Sequence, residues 1–139
     1  MRLRYFGTLI FIFAVHAVSA HTLIYTTTDY PVTAADTEPG VQVLVLDEAQ
    51  RLEQALFPAL TGTSNAQQAE QQAQQRMQQA DWKEAEARLT AAYQSLLSAW
   101  SLGVEKVPAV VFDDRYVVYG TTDIRLAQQK WTQWQEQQR

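Results

Sequence analysis

Four places in this chain have the residue types for chemistry: the acidic pairs Asp47-Glu48 and Asp113-Asp114, the histidine His21, and the Val107-Pro108 dipeptide beside an apolar run. Adjacent carboxylates are weak evidence of a catalytic pair, because acid–base work on a substrate depends on spacing across that substrate. Asp47 is better placed as a helix cap and Asp113-Asp114 as a turn. There is no serine motif with a histidine to serve it and no glycine-rich phosphate loop, so no catalytic residue is assigned. The chain has no cysteine. That excludes disulfide exchange, a thiolate metal site and a cysteine nucleophile.

The N-terminus decides what His21 can do. In MRLRYFGTLIFIFAVHAVSA, Arg2 and Arg4 precede an apolar core from Tyr5 to Val18, and Val18-Ser19-Ala20 offers a small-residue cleavage site. This is the pattern of a secretory signal peptide over residues 1–20. The apolar run is shorter than the roughly 20 residues of a spanning helix, and His16 interrupts it. Cleavage after Ala20 leaves residues 21–139, the size of one domain. The leader takes Arg2 and Arg4 and no acid with it, so the net charge moves from −4 to −6. An acidic exported chain without basic clusters argues against nucleic acid as a direct partner.

Cleavage would also make His21 the first residue, with a free amine beside its imidazole, a pair that suits copper. The usual histidine brace needs a second histidine, however, and His16 leaves with the leader. The set is incomplete, so no metal site and no cofactor are assigned, and a copper-binding periplasmic protein stands as the alternative reading.

The elements that would position these residues follow from periodicity and punctuation. Thr22 to Thr27 reads as a strand entering the Pro31 turn, and the unbroken apolar run Val41 to Leu46 as a strand buried on both faces. Asp47 caps a helix over EAQRLEQALFPAL, with Leu52, Ala55, Leu56 and Leu60 on one face and Pro58 and Gly62 ending it. TGTSN reads as a turn. Residues 66–100 contain neither proline nor glycine and step their apolar positions by threes and fours, which predicts one long helix. Its glutamine-rich first half presents a solvated face. Its second half carries Trp82, Leu89, Tyr93, Leu96, Leu97 and Trp100, expected to dock on the core.

Gly103 ends that helix. Ala109 to Phe112 and Arg115 to Tyr119 flank the Asp113-Asp114 turn as a hairpin, and Thr121-Thr122-Asp123 caps a last helix with Ile124, Ala127, Trp131 and Trp134 along one face. Trp134, near the terminus, is expected to stay partly exposed as a candidate partner contact.

The block KVPAVVFDDRYVVYGTTD, with a helix on each side, resembles the second half of thioredoxin-like domains. More narrowly, LIYTTTDYPV, VLVLD, the long central helix and VPAVVFDDRYVVYGTTDIRLA are together similar to a family of exported proteins of integrating conjugative elements, related to thioredoxin-like components of conjugative type IV secretion systems. That resemblance implies an α/β, thioredoxin-like fold without the two-cysteine motif, with an extended central helix and a C-terminal β-hairpin plus helix. It implies a cis Val107-Pro108 bond. Thr28-Asp29-Tyr30-Pro31-Val32 stands where redox relatives carry their cysteines, and the short, turn-rich TAADTEPG implies loss of the helix that follows. What remains is a groove between that loop and Pro108, able to take an extended segment of a partner on the backbone of Val107. The resulting expectation is a periplasmic, non-enzymatic assembly protein of a conjugative DNA-transfer apparatus. It would contact other envelope proteins through Asp29, Tyr30, Val107, Pro108 and Trp134.

Overall fold

The computed structural model describes residues 21–32, 38–58 and 65–139. The leader, the TAADT part of the turn-rich segment, and Leu60, Gly62 and most of TGTSN lie outside the described residues. Within them the chain is α/β, with a four-stranded mixed sheet and four helices in the order β1 (Thr22–Thr26), β2 (Val41–Val45), α1 (Glu48–Leu56), α2 (Ala66–Met77), α3 (Trp82–Ser101), β3 (Ala109–Phe112), β4 (Tyr116–Tyr119) and α4 (Ile124–Gln137).

The strand order across the sheet is β2-β1-β3-β4, with β1 parallel to β2 and both other pairs antiparallel. The central strands β1 and β3 are buried throughout. Alternation along them feeds two cores. Leu23, Tyr25, Ala109 and Val111 pack with Ala99 of α3 on one face, while Ile24, Val110 and Phe112 pack with Ile124 and Ala127 of α4 on the other. One half-buried polar contact ties the first core: the Tyr25 hydroxyl lies 2.6 Å from Ser98 Oγ.

Several expectations need correction. The apolar run of β2 does feed both faces, Val41 and Val43 toward α4 and Leu44 toward α3. It is nonetheless an edge strand and only half buried, because a neighbour covers one side of it alone among the described residues. The second concerns Asp47, which makes no side-chain cap bond to α1. Its carboxylate reaches across to the loop after β1, as described below.

The third correction is that residues 66–100 form two helices. The break at Gln78 to Asp81 needs no proline or glycine, because a salt bridge closes it: the Arg76 guanidinium donates to both carboxylate oxygens of Asp81 at 2.9 and 3.0 Å. That pairing holds the Asp81 carboxyl below its ordinary value. Arg76 also lies over the ring of Trp82, 5.8 Å from its centroid, and Trp82 meets Phe57 edge-on at 6.1 Å. A straight helix would forgo this cluster. Within α3 the docking stripe is Leu89, Ala92, Leu96 and Ala99, whereas Leu97 (63% exposed) and Trp100 (81%) face solvent. Tyr93 is also exposed and gives its hydroxyl to Glu53 of α1, a bond that raises its pKa. The fully buried positions of that face are the alanines Ala92 and Ala99, which let the helix approach the sheet closely, with Leu89 and Leu96 half-buried beside them.

The C-terminal third follows its sequence. Asp113 and Asp114 both have positive φ, 52° and 54°, and the Arg115 N–H donates to the Phe112 carbonyl at 3.1 Å, which fits a type I′ turn. Asp123 caps α4 by accepting from the N–H groups of Arg125 and Leu126, and Thr121 Oγ1 in turn accepts from the Asp123 N–H. The Trp131 ring stacks on Phe112 at 4.9 Å.

Candidate functional site

Strand directions bring three chain segments to one end of the sheet. β1 and β2 both finish there, and β3, antiparallel to β1, starts there with Ala109 opposite Tyr25. Thr27 to Val32 leaves β1 at this end, Asp47 follows β2, and Val107-Pro108 leads into β3. The Val107-Pro108 bond is cis, as the resemblance implies.

The loop after β1 is pinned by hydroxyls and one carboxylate. Buried Thr26 donates its hydroxyl to the Tyr30 carbonyl at 2.6 Å, and the Tyr30 N–H returns to the Thr27 carbonyl at 3.0 Å. Asp47 accepts from the Thr28 N–H at 3.1 Å and from the Thr28 hydroxyl. These bonds, the hydroxyl's foremost, hold the Asp47 carboxyl below its ordinary value, so it stays ionised. Threonines bond readily to nearby backbone and carboxylates, which is the physical content of the run Thr26-Thr27-Thr28.

Across from this loop, Tyr119 performs the matching task. Its hydroxyl accepts from the Glu105 N–H at 3.2 Å and donates to the Gly103 carbonyl at 3.4 Å, while the Gly120 N–H donates to the Pro108 carbonyl at 2.8 Å. The approach to Val107 is thus fixed from β4. Val107 itself packs its side chain on the first core. Among the described residues its backbone N–H and carbonyl make no hydrogen bond.

Asp29 and Tyr30 are exposed on the loop, Tyr30 at 48%, and share this end with half-buried Val107 and Pro108. Trp134 is not with them. It sits on α4 near Tyr116, ring centroids 5.9 Å apart, at the opposite end of the sheet where β3 turns into β4. Four of the five candidate residues therefore lie at one end of the sheet, and the residues that hold their segments, Thr26, Thr28, Asp47 and Tyr119, are not among the candidates the sequence offers. The threonine run was the available signal; Tyr119 had none, since its role depends on a loop distant in sequence.

Two concavities lie elsewhere. One of about 290 Å³ is lined by Val43, Leu44, Val45, Glu48, Arg88 and Ser95 beside the edge strand, and one of about 200 Å³ by Phe57, Gln72, Gln75, Arg76 and Gln79 against α2. Among the described residues no three His, Asp or Glu side chains are grouped to hold a metal ion, and no helix is long and apolar enough to cross a membrane. Among the described residues, what the Pro108 end offers chemically is unpaired backbone beside a polar, hydrogen-bonded loop. That suits recognition of an extended chain.

Comparison with known proteins adds one match: the family described as "Protein of unknown function (DUF1525)" matches residues 19–137. No curated protein and no solved structure matches the chain.

Proposed function

We propose, from the premise that the chain belongs to the DUF1525 family, that this protein is a non-catalytic, thioredoxin-like assembly protein of a conjugative DNA-transfer apparatus. In this reading it is exported to the periplasm by residues 1–20. It docks extended segments of other envelope proteins in the groove between Thr28–Val32 and Pro108. The observation that carries the proposal is the backbone of Val107, without a hydrogen bond among the described residues, at the same end of the sheet as a loop held in place by Thr26 and Asp47.

The strand order β2-β1-β3-β4, with a proline at the entry to β3 and a helix on each face, supports the thioredoxin-like assignment. The absence of cysteine supports a binding role over a redox one. An extended segment needs only donors, acceptors and shallow side-chain pockets, all available without covalent chemistry.

The test is conjugation frequency from a donor lacking this protein, complemented with wild type or with Asp29→Ala combined with Tyr30→Ala. Both residues are exposed, so the folded state should survive, and export and folding are checked in the same cells. The proposal expects transfer to fall without the protein and not to be restored by the double variant. Undiminished transfer in the deletion donor would remove the conjugative role, and full rescue by the double variant would remove the groove.

A further inference from the structure

The hairpin end of the sheet carries a group of donors that the groove does not use. The register pairing Thr22 with Phe112 continues one step to bring His21 opposite Asp113, and the Asp113 N–H donates to the His21 carbonyl at 3.0 Å. The type I′ turn then swings Asp114 back over the start of β1, where its Oδ1 lies 3.6 Å from His21 Nδ1. Both side chains are half exposed, 50% and 58%.

That separation is too long for a hydrogen bond, whose heavy atoms lie within about 3.2 Å. Two donors on one metal ion stand somewhat closer than this. Two donors each about 2.0 Å from a metal stand about 2.8 Å apart at a right angle and about 3.5 Å apart at 120°. Histidine at a chain start supplies two nitrogens by itself, because its amine and Nδ1 close a six-membered ring on a metal. The sequence alone left this set one ligand short; the fold supplies a third from 93 positions away.

We propose that the processed protein, beginning at His21, holds one Cu(II) ion between the α-amine and Nδ1 of His21 and the carboxylate of Asp114. Two nitrogens and an oxygen suit Cu(II) in tetragonal coordination, for which the half-exposed His21 and Asp114 side chains must close from 3.6 Å to about 2.8 Å, and the affinity order of divalent metals places Cu(II) above Zn(II), Ni(II) and Co(II) for such a set. The neighbouring Asp113 carboxylate adds negative charge. Arg115, the nearest cation in sequence, lies over the Tyr116 ring at 5.8 Å from its centroid. Solvent completes the coordination sphere, since the site is open.

The experiment starts with the intact mass of the exported protein, which must correspond to a chain beginning at His21; any other start removes the site. Copper sulfate is then titrated into that protein at neutral pH, with a competing chelator to set the affinity and electron paramagnetic resonance to count nitrogen ligands. The expected result is one equivalent bound with two nitrogens. Acetylating the α-amine and, separately, Asp114→Asn should each weaken binding at least about tenfold, the lower end of what loss of a supporting metal contact costs. Asparagine tolerates the left-handed conformation of position 114, so the turn should survive this change. Asp113→Asn should leave affinity within a factor of about two, as expected of a group that is not a ligand. Affinity unchanged by acetylation would overturn the proposal. Affinity unchanged by Asp114→Asn would remove the carboxylate and return the site to a lone histidine.

Discussion

The two ends of the sheet are closed by opposite means. At the hairpin end Phe112, Trp131, Tyr116 and Trp134 follow one another in ring contact, from a 4.9 Å stack to tilted pairs at 5.3 and 5.9 Å. At the Pro108 end the segments are held by polar bonds, Thr26 to Tyr30, Asp47 to Thr28 and Tyr119 to Gly103 and Glu105, and the rings of Tyr30, Trp100 and Tyr119 are exposed, as Trp134 is at the hairpin end. Apolar closure buries surface and stabilises without regard to precise angles. Polar closure contributes less, but it fixes backbone geometry while leaving neighbouring groups free. A binding site is more readily built at the second kind of end.

The contrast can be broken most forcefully at Trp131. Trp131→Ala should destabilise the protein by about 2–3 kcal/mol, below the roughly 3–5 kcal/mol of a fully buried large aromatic because the ring is only partly buried. A denaturant midpoint unchanged from wild type would show that the hairpin end does not depend on its stack. At the other end, Asp47→Ala should cost about 1 kcal/mol, a charge-assisted bond discounted for its exposure to solvent. Because the folded carboxyl titrates below its ordinary value of 3.8, its contribution is complete at neutral pH and is lost as pH falls below about 4 through the folded value. The stability gap between wild type and Asp47→Ala should therefore be flat from neutral pH down to about pH 5 and close below pH 4. A gap that widens on acidification would contradict the assignment.

Tyr119→Phe sharpens the comparison further, since it removes the hydroxyl latch and keeps the ring. It should cost about 0.5–1 kcal/mol, one exposed hydrogen-bonded hydroxyl, and should speed amide exchange at Glu105. Unchanged exchange there would mean that the approach to Val107 is held by something else. The smallest effect belongs to Trp100→Ala, expected within about 0.5 kcal/mol because the side chain is 81% exposed. A loss as large as that of Trp131→Ala would place Trp100 against the core.

Those two tryptophans also show where reading the sequence works. Trp131 lies on a stripe with Ile124 and Ala127, and the stripe is the buried face of α4, as the spacing predicts. Trp100 lies on an equally good helical stripe with Tyr93 and Leu97, yet α3 turns Ala92 and Ala99 to the sheet instead. Periodicity identifies faces; it does not say which of two faces the sheet will take, and close approach favoured the smaller residues. The α2–α3 break was hidden for a related reason, because Arg76 and Asp81 are ordinary helix residues until their side chains meet. The Asp113-Asp114 turn, the Asp123 cap and the grouping of Asp29 and Tyr30 with Pro108 were legible, each resting on local chemistry or strand direction. Local chemistry assigns Asp47 a capping role, whereas its carboxylate takes a distant partner, because Thr28 stands within reach only after β1 and β2 have paired.

The most direct measurement is photocrosslinking in conjugating donor cells, with benzoylphenylalanine in place of Tyr30 at the Pro108 end and, in a second strain, in place of Gln133 at the hairpin end. Both positions are exposed. A discrete adduct from position 30 that is absent from position 133, and lost when Asp29→Ala is added, is what a partner segment lying in the groove predicts. No adduct from position 30, or the same adduct from both ends, would contradict it.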